Sequence, residues 1–171
     1  METKITSPAV KGIIISLVLI VLGLVIYFIG QSQNKAIQWI QGILYAIGII
    51  WAAISFSKQS NGNVTFGNVF AHSFKTSAAV TAILLVYTFV FLKFIAPTFI
   101  DQVIETSRQQ METQGKLTAE QIDQAIAITR KYFMVLAIGG GLVSNLILGL
   151  IFSLIGAAVA KKNPNYQPLE Q

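Results

Sequence analysis

GIIISLVLIVLGLVIYFIG, residues 12–30, contains no charged side chain in 19 positions. A bilayer core about 30 Å thick is crossed by roughly 20 apolar helical residues, so this stretch reads as a transmembrane helix. Lys4 and Lys11 precede it, as basic residues precede the apolar part of a secretory leader. The run is long for that part, however, and Phe28 with Gly30 makes a poor small-residue cleavage site. The expectation is a retained first span.

Three similar runs follow. The second span is read at residues 36–56, with Trp39 and Trp51 near its two ends, where indole rings favour the headgroup boundary. The short polar connection from Gln31 to Lys35 makes the first two spans an antiparallel hairpin. The third span is read at 76–95 and the fourth at 134–160. Composition agrees: of 171 residues, 54% are hydrophobic and only 11% are charged. Soluble domains carry about 25% charged residues, and so small a share could not cover a water-facing surface. The expected fold is all-α, a single integral membrane four-helix bundle over residues 1–171. An interfacial helix precedes span three, and an extramembrane helical hairpin lies between spans three and four.

The interfacial helix is read from VTFGNVFAHSFKTS, residues 64–77. Phe66, Phe70 and Phe74 recur every fourth residue and share one helical face. With His72 they are expected to form an interfacial or partner-binding surface. The hairpin is read at 97–132. Its first helix has Phe99, Ile100, Val103, Ile104 and Met111 at helical spacing and ends near Gly115, a residue suited to a left-handed terminator. Its second opens on Thr118 and Gln121, a capping-box pair, with Leu117 and Ile122 as the accompanying apolar staple. No break separates this helix from span four. Glu105 with Arg108, Arg108 with Glu112 and Glu112 with Lys116 have the spacing of pairs along one solvated helix face.

In span four, Ala137, Gly141, Asn145, Gly149, Ser153 and Ala157 fall every four residues. Small residues at that spacing let a neighbouring helix approach closely, which matters where lipid supplies no hydrophobic drive. This face is expected to be a helix-packing surface. A polar path lined by Ser144 and Asn145 is the alternative. Gly139 to Gly141 would weaken the helix there and supply a hinge.

The chemistry that can be read is mostly negative. With no cysteine, disulfides and thiolate sites are excluded. The lone His72 is short of the ligands a metal site needs and has no adjacent nucleophile and acid. No phosphate-binding glycine loop or paired-carboxylate site appears. Carboxylates are missing from every span, which argues against an ion-coupled transporter. The formal charge of +5 fits cytoplasmic loops and an anionic lipid surface. No basic stripe with interleaved aromatics suggests nucleic acid. No cofactor, metal or catalytic activity is expected.

Six basic residues fall on each side of the membrane. Lys4, Lys11, Lys58, Lys75, Lys161 and Lys162 share the side of the termini, while five acids lie on the other. Both termini are therefore placed in the cytoplasm.

Four segments together are similar to a family of uncharacterised membrane proteins, mostly from Bacteroidota, known as domain of unknown function 4199. They are VTFGNVFAHSFKTS, KFIAPTFIDQ at 93–102, the charged helical segment after it, and GLIFSLIGAAVAKKN at 149–163. The resemblance covers nearly the whole chain. It implies a four-span protein of the bacterial inner membrane with no established activity, and it carries over no site residues. The functional expectation is a non-enzymatic scaffold or interaction protein, whose partners are the lipid bilayer and either a second copy or another membrane protein. A small channel or transporter subunit is the alternative.

Overall fold

The computed structural model describes residues 5–164, the side chain of Lys35 excepted. Lys4, used above to orient the chain, and the polar tail from residue 165 lie outside the described residues. The described chain is all-helical. Its elements are α1 (Pro8–Phe28), α2 (Lys35–Gln59), α3 (Phe66–Val90), a π-helical turn (Phe91–Ile95), α4 (Phe99–Gln114) and α5 (Ala119–Val159). Four helical stretches are long and apolar enough to cross a membrane: Pro8–Phe28, Ala36–Gln59, Phe66–Ile95 and Ala119–Val159.

Local chemistry explains the boundaries. Ser7 caps α1, its hydroxyl accepting from the Val10 N–H at 3.3 Å, with Pro8 opening the helix. Asn34 caps α2 by accepting from the Ala36 N–H at 3.0 Å. The Thr65 hydroxyl does the same for the Asn68 N–H at the start of α3. Helix α3 runs unbroken from Phe66 to Val90, so the phenylalanine-rich segment runs directly into the third span as one helix. The π-helical turn stands just before Pro97. Proline biases the preceding residue away from helix, and Ala96 leaves the helical region at φ −137°, ψ 63° with its N–H returned to the Phe91 carbonyl.

The chain forms two compact units, one taking in residues up to Leu84 and again from Val143, the other Leu85–Leu142. In the first unit, Ile15 and Leu19 of α1 pack with Tyr45, Ile49 and Ala52 of α2 and Val80 of α3. A second layer joins Ala53, Val64, Val69, Ala157 and Ala160. The packing is close: a Cβ on Gly156 would lie 2.7 Å from the Ala53 Cβ. Outward positions are apolar, with Val21, Ile47 and Ile147 each more than half exposed. Buried positions include Ser16, Ser73, Thr76, Ser77, Thr81 and Ser153. Apolar outside and hydroxyl-bearing inside is the pattern expected of helices whose solvent is lipid.

The second unit holds a helical hairpin. Gly115 ends α4 in the left-handed region at φ 63°. The reciprocal box follows: the Gln121 N–H donates to the Thr118 hydroxyl at 3.3 Å, and the Thr118 N–H to Gln121 Oε1 at 2.9 Å. Ile104, Ile122 and Ile126 form the core, flanked by Ile100 and Met111. Of the pairs expected along α4, Arg108 with Glu112 forms, and two further ion pairs cross the hairpin. Arg108 Nη2 meets Asp123 across the hairpin at 2.7 Å and its Nη1 lies 3.9 Å from Glu112 on its own helix, while Asp101 takes Arg130 at 2.7 Å. Glu105 instead accepts from the Gln109 amide at 3.0 Å. Arg108 lies on the side of α4 that faces α5, so its shorter pair is with the carboxylate across the hairpin and its longer one with Glu112.

Candidate functional site: a buried polar seam

The polar residues buried in the first unit come from all four of its helical segments. Tyr45 of α2 is the central pin. Its hydroxyl pairs with Ser77 Oγ of α3 at 2.7 Å and donates to the Asn145 carbonyl of α5 at 3.1 Å. Its ring lies edge-on to Phe152 with centroids 5.9 Å apart. A Cβ added to Gly149 would come within 1.8 Å of Ser77 Oγ and 2.8 Å of Tyr45 Oη, so only glycine fits there.

Most other hydroxyls are satisfied within their own helices. Ser16 donates to the Gly12 carbonyl at 2.8 Å, Ser73 to Val69 at 2.9 Å, Thr76 to His72 at 3.0 Å and Thr81 to Ser77 at 2.9 Å. A hydroxyl so engaged needs no water and leaves no polar surface along the helix. Ser153, fully buried, has its hydroxyl without a partner.

Nearer the start of α1 the seam holds its two nitrogen bases. Lys11 is fully buried, and its ammonium donates to the Ala52 carbonyl at 3.3 Å. That nitrogen lies 5.9 Å from the centre of the Phe56 ring, within cation–π range. His72 stacks on the same ring at 4.1 Å with planes 11° apart, and its buried Nε2 has no hydrogen-bond partner. Five described carboxylates, Asp101, Glu105, Glu112, Glu120 and Asp123, all belong to the second unit. No described carboxylate of the first unit can neutralise Lys11.

The expected small-residue face is divided between the units. Gly149, Ser153 and Ala157 are buried in the first unit, and Asn145 is half-buried with its backbone carbonyl, not its amide, bonded to Tyr45. Ser144 is exposed and off this face. In the second unit, Gly141 approaches Leu85, and Ala137 is half-buried. Helix α5 passes through Gly139–Gly141 without interruption, so no break marks the expected hinge. Apolar surroundings offer the freed backbone groups no alternative partner. Of the expected aromatic surface, Phe66 is exposed, and Phe70 and Phe74 are half-buried and stacked 5.8 Å apart. His72 does not join them on a surface. It is 7% exposed, because two residues' rotation from Phe70 turns it toward Phe56 of α2. Lys11 was missed as a site residue because it had been read only as a flank of the first span. Its spacing from Ser7 and Pro8, a cap and first helical residue, was the available signal that it lies inside the helix.

The family model described as protein of unknown function (DUF4199) matches residues 11–162. The chain belongs to this family. No curated protein and no solved structure matches it. The DUF4199 match thus takes in the whole seam, from Lys11 through Tyr45 and His72 to Ala157.

Proposed function

We propose that this DUF4199 chain is a multi-pass protein of the bacterial inner membrane with both termini in the cytoplasm, acting as a non-enzymatic interaction protein. The observation that carries the reading is the build of the Leu85–Leu142 unit. Its hairpin has its own isoleucine core and cross-hairpin ion pairs, yet Ile128 and Tyr132, ahead of the span read at 134–160, remain 60% and 46% exposed on α5. These follow helical spacing and make an apolar stripe on a stiffened arm, suited to a membrane-protein partner or a second copy. A polar path along span four has less support. Most hydroxyls of the first unit, Ser153 excepted, are tied to carbonyls or to one another, and Gly149 leaves no room beside Ser77.

The test is in-membrane photo-cross-linking from Ile128 in the full chain. A discrete adduct, to another protein or to a second copy, is expected. Absence of any adduct, together with a monomer on mild-detergent extraction, would remove the basis for an interaction role.

A further inference from the structure

The ends of α2 and α5 form a second feature, separate from the seam. A cavity of 520 Å³ opens between them, lined by Lys58, Lys161, Lys162 and Gly62, with Ile54 and Val159 as its apolar wall. That volume lies within the roughly 300–1,000 Å³ typical of small-molecule sites. Backbone contacts hold its rim. The Ser57 hydroxyl donates to the Lys161 carbonyl, and the Asn163 N–H donates to the Gly62 carbonyl at 2.9 Å. Gly62 turns there at φ 76°, and a Cβ on it would press the Asn163 nitrogen at 3.2 Å.

The electrostatics of the cavity favour an anion. Two helix C-termini meet it, each worth about half a negative charge, against three lysines. Lys162 is already occupied, its ammonium donating to the carbonyls of Ala157 and Ala160. Lys58 and Lys161 are exposed. The three ion pairs among the described residues all lie in the other unit. The apolar wall selects among anions. Ile54 and Val159 line the cavity from two candidate spans, an apolar wall that suits an acyl chain and that a free inorganic anion would make no use of.

We propose that this cavity binds the headgroup phosphate of an anionic phospholipid, with Lys58 and Lys161 on the phosphate and an acyl chain along Ile54 and Val159. The inference rests on the membrane placement proposed above but not on the interaction role, so a failed cross-link at Ile128 leaves it standing.

The experiment is native mass spectrometry of the full chain titrated with phosphatidylglycerol or phosphatidylcholine. Phosphatidylglycerol is expected to bind more tightly. Its affinity should fall about fivefold in K58Q or K161Q and about 25-fold in the double variant, but less than about twofold in K75Q, which removes an exposed lysine outside the cavity. The K58R/K161R variant keeps both charges and should keep the preference, with circular dichroism checking the fold of each variant. Equal binding of the two lipids overturns the proposal. So does a K58Q/K161Q variant that still prefers phosphatidylglycerol, or loss of the preference in a folded K58R/K161R. Competition by inorganic phosphate as effective as the lipid would assign the site to a free anion and reject the lipid.

Discussion

The two units handle charge in opposite ways. Leu85–Leu142 carries Lys93, Arg108, Lys116, Arg130 and Lys131 against five carboxylates, and its two arginines pair across the hairpin. The described remainder carries Lys11, Lys35, Lys58, Lys75, Lys161 and Lys162 with no carboxylate at all. Its buried polar groups turn instead to hydroxyls, carbonyls and an aromatic ring. On the membrane placement proposed above, the difference separates a hairpin that meets water from helices packed in lipid. Where water is present, an ion pair is cheap to form and worth little. Where it is absent, a second charge would have to be desolvated too, and dipoles close at hand are the better partners.

The sharpest way to break this contrast is at the tightest point of the seam. Gly149→Val places branched carbons where Ser77 Oγ and Tyr45 Oη already stand. Overpacking of this kind costs about 3 kcal/mol, here with loss of the Tyr45–Ser77 bond as α5 is pushed away. Unfolding in mixed detergent micelles should register it as a large drop in midpoint. A midpoint within error of wild type would mean that the seam has slack and could admit water, which would revive the polar path.

Much of this was readable from residue order. Four apolar runs, the Gly115 terminator and the Thr118–Gln121 box are local signals, each needing only a few neighbouring residues, and each stands where the sequence put it. Tertiary pairing was not readable in the same way. Arg108 had three acids within reach by sequence spacing or fold, and only the α4–α5 geometry selects Asp123. The burial of Lys11 and His72 depends on Phe56, far from both in sequence and brought there by the packing of α2. The four-residue stripe on α5 foretold close packing, but not that a tyrosine hydroxyl would reach a backbone carbonyl in place of the Asn145 amide.

Lys11→Met tests the second half of the contrast, with a smaller effect of opposite sign. Methionine fills similar space without a charge to desolvate. If the ammonium has no partner beyond the Ala52 carbonyl and the Phe56 ring, replacing it should stabilise the fold by about 1–2 kcal/mol. The same detergent unfolding assay reads it as a raised midpoint. A clear destabilisation would mean that an anion neutralises Lys11 in the membrane, which would sharpen the contrast by making lipid the missing counter-charge of a unit whose described residues hold no carboxylate.

The smallest effect belongs to the hairpin. Asp101→Asn removes one end of the Arg130 pair, whose side chains are 59% and 57% exposed. Exposed pairs are worth less than about 1 kcal/mol and weaken with salt. The hairpin core of Ile104, Ile122 and Ile126 does not depend on that carboxylate. The expected outcome is a slight loss of thermal stability at low ionic strength that disappears at high salt. A large loss that salt does not remove would show that Asp101 is shielded from water in the membrane-embedded protein. The contrast between a charge-balanced hairpin and a remainder whose described residues hold lysines without carboxylates would then fail at the place where it should be safest.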